Sequence, residues 1–205
     1  MGAITGFLRG WNLVILTFIA VAATFVGIFA AADGSAEALG LIIRITARPA
    51  LVFFGLAFSA SSLYRLMPNA FTRWQVKNRR YLGLSFATSH LMHAAALAVW
   101  GVMYPDLFLT HTNIGVWIGG GIGYAFVIAL AATSFDGAVR WMGARKWSLL
   151  HTTGSYYLWF VFSLGLVGRS IVDPFYYPFA AFMLVVLPIR LCARFIGRRT
   201  NLAAA

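Results

Sequence analysis

The stretch "YLGLSFATSHLMHAAALAVWGVM", residues 81–103, contains no aspartate, glutamate, lysine or arginine. A helix needs about 20 mainly apolar residues to cross the hydrocarbon core of a bilayer, and this stretch is long enough. Two basic residues, Arg79 and Arg80, stand directly before it, as is typical of the cytoplasmic end of a membrane span. The stretch therefore predicts a transmembrane helix. Its two histidines are unsuited to a surface that faces lipid.

The composition of the whole chain also indicates a membrane protein. Of its 205 residues, 61% are hydrophobic and 10% are charged, whereas a soluble domain has about 25% charged residues. The net charge of +11 could favour nucleic acid. The basic residues, however, stand in short groups between apolar runs, as in loops at a lipid surface. We therefore expect contact with membrane lipid and no binding of nucleic acid.

Six segments are long and apolar enough to span a membrane. They cover residues 11–32, 47–67, 81–103, 114–135, 147–168 and 174–196. The first segment is longer than a typical signal-peptide core, which predicts that it is retained. The connections are short, so we predict an all-α fold in a single domain over residues 1–205. The expected architecture is a polytopic membrane protein with a six-transmembrane-helix bundle.

The lysine and arginine residues are distributed unevenly between the two sides of this predicted bundle. Of the 16, three lie on one side, namely Arg44, Arg48 and Arg169, and the remaining 13 lie on the other. The positive-inside rule then predicts that both termini are cytoplasmic. The stretch 37–49 has two interpretations: a short interfacial helix that leads into the second span at Pro49, or an extended start of that span with snorkelling arginines.

The glycine-rich stretch "GGGIGY", 119–124, lies inside the fourth predicted span, with no strand before it and no Lys-Ser/Thr after it. A phosphate-binding loop is therefore not expected there. Small residues on a membrane helix permit close approach of a neighbouring helix or of a flat cofactor.

Three histidines lie within predicted spans. His90 and His93 are three residues apart in the third span, and His151 is near the start of the fifth. Residues three apart on a helix share a face. An unpartnered polar group against lipid costs several kcal/mol, roughly, so these imidazoles are expected to face the bundle interior.

Three roles are open for these histidines. A hydrogen-bonded structural pair is the first, with Thr88, Ser89 or a backbone carbonyl as partner. A proton path is the second, but all five acidic residues stand near span ends or in loops. Axial coordination of haem iron is the third, because neutral imidazole is a good ligand for that metal.

Three stretches together resemble the ferric-reductase-like transmembrane domain superfamily. They are "TARPALVFFGLAFSASSLYRLMP" at 46–68, "RRYLGLSFATSHLMH" at 79–93 and "WSLLHTTGSYY" at 147–157. That superfamily includes iron reductases, NADPH oxidases and the membrane haem subunit of the periplasmic methionine sulfoxide reductase. The resemblance implies b-type haem between the third and fifth spans and electron transfer across the membrane.

The resemblance implies His93 and His151 as ligands of the haem iron, with His90 as a substitute ligand or a partner of one. Arg79, Arg80, Arg145 and Lys146 are candidate contacts for haem propionates or an anionic redox partner; the positive-inside signal alone also explains them. No catalytic residue is predicted. In two departures from the family pattern, Leu164 and Arg79 occupy positions where two-haem members often have further histidines. The expected number of haems is therefore one or none.

The spacing of the histidines conflicts with one shared iron. His93 lies about 20 Å beyond Arg80 along a helix, whereas His151 lies about 8 Å beyond Lys146. Ligands of one iron should lie at similar depth in parallel helices. Helix tilt or a later start of the third helix would close part of the gap, and choosing His90 shortens it by about 4.5 Å, so the sequence leaves the choice between His90 and His93 open.

The resulting functional hypothesis is an oxidoreductase component for membrane electron transport, located in the bacterial inner membrane. We expect no flavin or NAD(P)H domain in this protein, and a separate redox partner protein or a quinone is the expected donor. The alternative is a non-redox transporter or assembly subunit that kept the bundle and lost haem.

Overall fold

The structure is a computed structural model that describes the backbone of residues 8–203 and the side chains of residues 8–196. Within that range it contains nine α-helices, one 3-10 turn (Pro174–Tyr176) and no strand, which confirms the all-α prediction. The helices are α1 (Trp11–Ala31), α2 (Ala36–Leu66), α3 (Ala70–Lys77), α4 (Arg79–Met103), α5 (Pro105–His111), α6 (Ile114–Ala132), α7 (Asp136–Met142), α8 (Ala144–Val172) and α9 (Tyr177–Ala203).

Six helices, α1, α2, α4, α6, α8 and α9, are long and apolar enough to cross a membrane. The chain is therefore an integral membrane protein, as its composition predicted. The helices α3, α5 and α7 are only eight or seven residues long and connect these spans.

The start of the second span differs from its predicted boundary. We expected the span to begin near residue 47, whereas α2 begins at Ala36 and includes Pro49. The side chain of Ser35 caps it by accepting a hydrogen bond from the backbone of Ala38. Of the two interpretations of residues 37–49, the extended start is the one found. Membrane helices tolerate an internal proline where neighbouring helices satisfy the freed backbone groups.

Contacts between distant parts of the chain define the two ends of the bundle. At one end the backbone N–H of Gly10 donates to Asn78 Oδ1 over 3.0 Å, and Arg80 forms an ion pair with Asp136. This end holds residues 67–78 and 133–143 and is called the basic end below. At the opposite end the Tyr104 hydroxyl donates to the Gly34 carbonyl over 3.1 Å.

The helix α2 is central and packs along α1, α3, α4 and α9. The main apolar core joins α2, α4, α6, α8 and α9 through buried side chains, among them Phe54, Phe86, Val127, Leu158 and Met183. The outer surfaces of the spans are also apolar, as expected where a helix meets lipid.

Gly55 lies where α2 packs against α9, and we predict that Gly55→Val destabilises the bundle. A Cβ atom at this position would overlap the ring of Phe182 and come within 3.2 Å of Met183 Cε. Overpacking of this kind costs about 1–3 kcal/mol of unfolding free energy. The measurement is thermal unfolding in detergent. The control is Gly27→Val on α1, where a Cβ meets nothing within 4 Å, and equal unfolding temperatures for the two variants would contradict the packing.

Candidate functional site

A cavity of about 430 Å³ lies at the basic end, between α2, α4, α6, α7, α8 and α9. Cofactor pockets typically have volumes of roughly 300–1,000 Å³. The wall towards the middle of the bundle is apolar, with Phe54, Phe86 and Val127, whereas Arg79 and Arg190 line the wall nearer the end. The cavity therefore suits a ligand with an apolar body and an anionic group.

His151 lines this cavity from α8, seven residues after the helix begins. Its Nε2 atom lies 2.9 Å from Oγ1 of Thr133, which follows the last residue of α6. Its ring stacks on that of Trp147, with centroids 4.1 Å apart. Trp147 Nε1 in turn donates to the Thr133 carbonyl over 2.9 Å. The imidazole is thus held against the end of α6.

Two arginines of the cavity wall bind consecutive carbonyls of α2. Arg79 Nε donates to the Ala57 carbonyl over 3.2 Å, and Arg190 Nη1 donates to the Phe58 carbonyl over 2.8 Å. Within the side chains described, neither guanidinium forms an ion pair with a carboxylate. Both guanidinium groups are therefore unpaired with a carboxylate among the described side chains, and the N–H groups that they have left can bind an anion.

The other basic candidates divide into two groups. Arg80 lines the cavity and is paired with Asp136 on α7. Arg145 and Lys146 are exposed and do not belong to the cavity wall. Arg190 was not among the predicted site residues, although an arginine inside a predicted span is itself a signal of an inward-facing role.

His93 is hydrogen-bonded within the protein. Its Nδ1 atom lies 2.9 Å from the Ile43 carbonyl on α2, so Nδ1 carries the proton and donates it, leaving the lone pair on Nε2. Ser89, which the sequence offered as a partner, instead donates to the Thr46 carbonyl over 2.8 Å. The expectation that this face of α4 points into the bundle is consistent with these contacts.

His90 lies in a cluster of aromatic rings. Its ring stacks on His93, Phe86 and Tyr124, with centroids 5.3, 5.5 and 4.9 Å away, and meets the edge of Phe162 at 5.2 Å. Neither nitrogen of His90 has a hydrogen bond to the described side chains or backbone. The cluster lies one layer further from the basic end than the cavity, and Phe86 belongs to both.

The structure does not bring His151 together with either histidine of α4. Phe162, which touches His90, is eleven residues beyond His151 on α8, a rise of about 16 Å. Two nitrogens on one metal are only about 4 Å apart, twice a bond of about 2 Å. Leu164 is 64% exposed and faces away from the bundle. Arg79, in contrast, shares the cavity with His151.

The Tyr124 hydroxyl is buried and has no hydrogen-bond partner in residues 8–196. We therefore predict that Tyr124→Phe raises the unfolding free energy by about 1 kcal/mol, because an unsatisfied hydroxyl carries a desolvation cost. The matched control is Tyr157→Phe, which removes a 3.0 Å hydrogen bond to the Gly119 carbonyl and should destabilise by a similar amount. Thermal unfolding in detergent measures both, and a loss of stability in Tyr124→Phe contradicts the assignment.

One glycine of α6, Gly123, lies at a contact with a neighbouring helix. A Cβ on Gly123 would lie 3.7 Å from Leu158, in ordinary contact with α8, whereas Cβ atoms on Gly119, Gly120 and Gly121 would meet nothing within 4 Å. None of these glycines lines the cavity. Among the residues that the structure describes, the glycine in the cavity wall is Gly83 of α4.

Comparison of the chain with protein-family models, with curated proteins and with solved structures finds no match. The chemistry of the cavity and the motifs of the sequence are therefore the basis for a functional proposal.

Proposed function

We propose that the chain binds one b-type haem in the cavity at the basic end and carries electrons across the membrane. The observation that carries this proposal is the presence of His151 in one cavity with an apolar, aromatic wall and two arginines that have no carboxylate partner among the described side chains. The ferric-reductase-like motifs around residues 79–93 and 147–157 suggest the same cofactor.

The cavity residues fit haem, whose iron would be held by one histidine of the chain. A macrocycle is apolar and bears two carboxylates, which matches the apolar wall and the arginines. A Cβ on Gly83 would meet nothing within 4 Å, so a flat group can approach the backbone of α4 there. Among the described residues that line the cavity, His151 is the single histidine. We therefore assign the iron to His151 rather than to a pair with His93 or His90.

Each group of residues would have a separate task in this site. Bound haem supplies an iron centre that accepts and releases one electron. His151 would hold the iron, and Arg79 and Arg190 would bind the carboxylates through charge-assisted hydrogen bonds. Phe54 and Phe86 would exclude water, which favours burial of the macrocycle.

The proposed setting is the bacterial inner membrane, with both termini in the cytoplasm by the positive-inside rule. The basic end would then face the cytoplasm. Electrons would come from a separate redox partner protein or a quinone, and they would leave to a partner or acceptor on the other side. In this role the chain is an oxidoreductase component, and no residue is assigned to catalysis.

The absorption spectrum of the purified full chain, expressed with ample haem, tests the proposal. We expect a Soret band, a spectral change on reduction with dithionite, and close to one haem per chain. A folded, monodisperse protein without a Soret band would contradict the proposal.

That negative result is the one expected for the alternative, a non-redox transporter or assembly subunit on the same bundle. A specific observation favours this alternative. His93 and His151 each have a hydrogen-bond partner inside the protein, and they lie in different layers of the bundle. Both can therefore be satisfied as structural residues without any metal.

A further inference from the structure

Thr133 makes two short contacts through one oxygen atom. Its Oγ1 lies 2.7 Å from the Ala129 carbonyl, four residues earlier on α6, and 2.9 Å from His151 Nε2 on α8. The hydroxyl has a single proton and two lone pairs. If that proton is donated to Ala129, then the lone pairs of Oγ1 face His151, and the proton between the two residues must be on Nε2.

The position of Thr133 in the fold also indicates that the proton between the two residues is on Nε2 of His151. It caps the C-terminus of α6, where carbonyl groups lack helical partners and the helix dipole is negative. Such an end attracts N–H donors. Trp147 already supplies one, because its Nε1 donates to the Thr133 carbonyl. An N–H on His151 provides a second donor, one turn further along α8.

We infer that Thr133 is a positioning residue that fixes His151 as the tautomer protonated on Nε2, so that the lone pair on Nδ1 is the one free to meet a ligand. In this tautomer Nε2 is unavailable to a metal unless the bond to Thr133 breaks. The statement about the tautomer does not require haem. Its consequence, that the iron would meet Nδ1, rests on the proposed function.

His93 provides an internal reference with the opposite tautomer. Its Nδ1 atom lies 2.9 Å from the Ile43 carbonyl, which can only accept a hydrogen bond. The proton of His93 is therefore on Nδ1 and that of His151 on Nε2. The two histidines should differ in one and the same spectrum.

The test is nuclear magnetic resonance of the full chain, haem-free and labelled with ¹⁵N on histidine, in detergent at mildly alkaline pH. Hydrogen-bonded ring protons exchange slowly enough to give one-bond ¹H–¹⁵N peaks. We expect a His151 peak at Nε2 and a His93 peak at Nδ1, each assigned by its loss in the His151→Gln or His93→Gln variant. Thr133→Val should lose the His151 peak alone, and Thr133→Ser should keep it.

The matched control is Thr152→Val. Thr152 lines the same cavity and makes no hydrogen bond with its side chain in the described structure, so both peaks should remain. A His151 proton on Nδ1 in the unmodified chain overturns the inference, as does a His151 peak that survives in Thr133→Val. A Thr133→Val variant that also loses the His93 peak is misfolded. In that case the spectra of the unmodified chain and of Thr133→Ser test the inference. Failure of the haem proposal gives a different result: the Soret band is absent while these peaks are present.

Discussion

His151→Ala removes the Soret band from the purified protein, whereas His93→Ala leaves it in place; this is the largest spectral effect that we expect. His151 is the one histidine among the described residues of the cavity wall. Loss of a residue that merely supports a ligand already costs roughly 10–100-fold in metal affinity, and loss of the ligand itself should cost more.

His93→Ala should lower the stability of the protein and leave its Soret band in place. The variant loses the hydrogen bond to the Ile43 carbonyl and leaves a space beside His90. Together these changes should lower the unfolding free energy by about 2–4 kcal/mol. Absorption spectra of the two variants, normalised to folded protein, provide the measurement.

Gly83→Leu is the second variant, in case His151→Ala fails to fold. Because Gly83 faces open space in the cavity, a leucine there fills the volume without a clash at Cβ. We expect loss of haem with little change in unfolding temperature. A colourless His93→Ala beside a coloured His151→Ala would contradict our assignment and move the haem to the layer of His90.

The six spans could be predicted because their signal is local. Length and hydropathy within one segment decide whether it can cross a bilayer, and no distant contact is needed. The predicted start of the second span, residue 47, was too late, because Pro49 and two arginines left open whether residues 37–49 belong to the same helix. The chain instead continues through this proline from Ala36. The preference of proline for a first helical turn is weaker evidence than an apolar run on both sides of it.

The candidate site could be predicted only in part. The difference in depth between the histidines of α4 and His151 of α8 followed from helix rise alone, and the structure also places them at different depths. The roles of Arg190 and Thr133 depend on how α9 and α6 are rotated against their neighbours. Sequence spacing within one helix contains no information about that rotation. Contacts such as that of Arg190 with the Phe58 carbonyl therefore emerge only from the packed bundle.

Replacing Arg79 and Arg190 together with glutamine should weaken haem binding by roughly 100-fold or more. Each arginine can form a charge-assisted hydrogen bond with a haem carboxylate, and such bonds contribute about 1.5–3 kcal/mol. Neither guanidinium has a carboxylate partner among the described residues, so both are available for this task. Titration of haem into the haem-free chain, followed at the Soret band, gives the affinity.

Haem dimethyl ester tests whether the interaction lost in this double variant is the one with the haem carboxylates. The ester has the same macrocycle and iron but no negative charge, so the unmodified chain should bind it more weakly than haem. In the Arg79→Gln, Arg190→Gln double variant this difference should disappear, as expected when both changes remove one interaction. If the double variant still prefers haem to its ester, the arginines do not bind the carboxylates.

Arg145→Gln with Lys146→Gln is the matched control for total charge. It removes two positive charges from the same end of the bundle, at exposed positions outside the cavity wall. Charges at exposed positions act weakly on other groups, because water and salt screen them. The affinity for haem should therefore stay within about 2-fold of the unmodified chain, by the small effect of screened surface charges. An equal loss in both double variants would instead attribute the attraction to the overall positive field of the basic end, with no direct contact from Arg79 or Arg190.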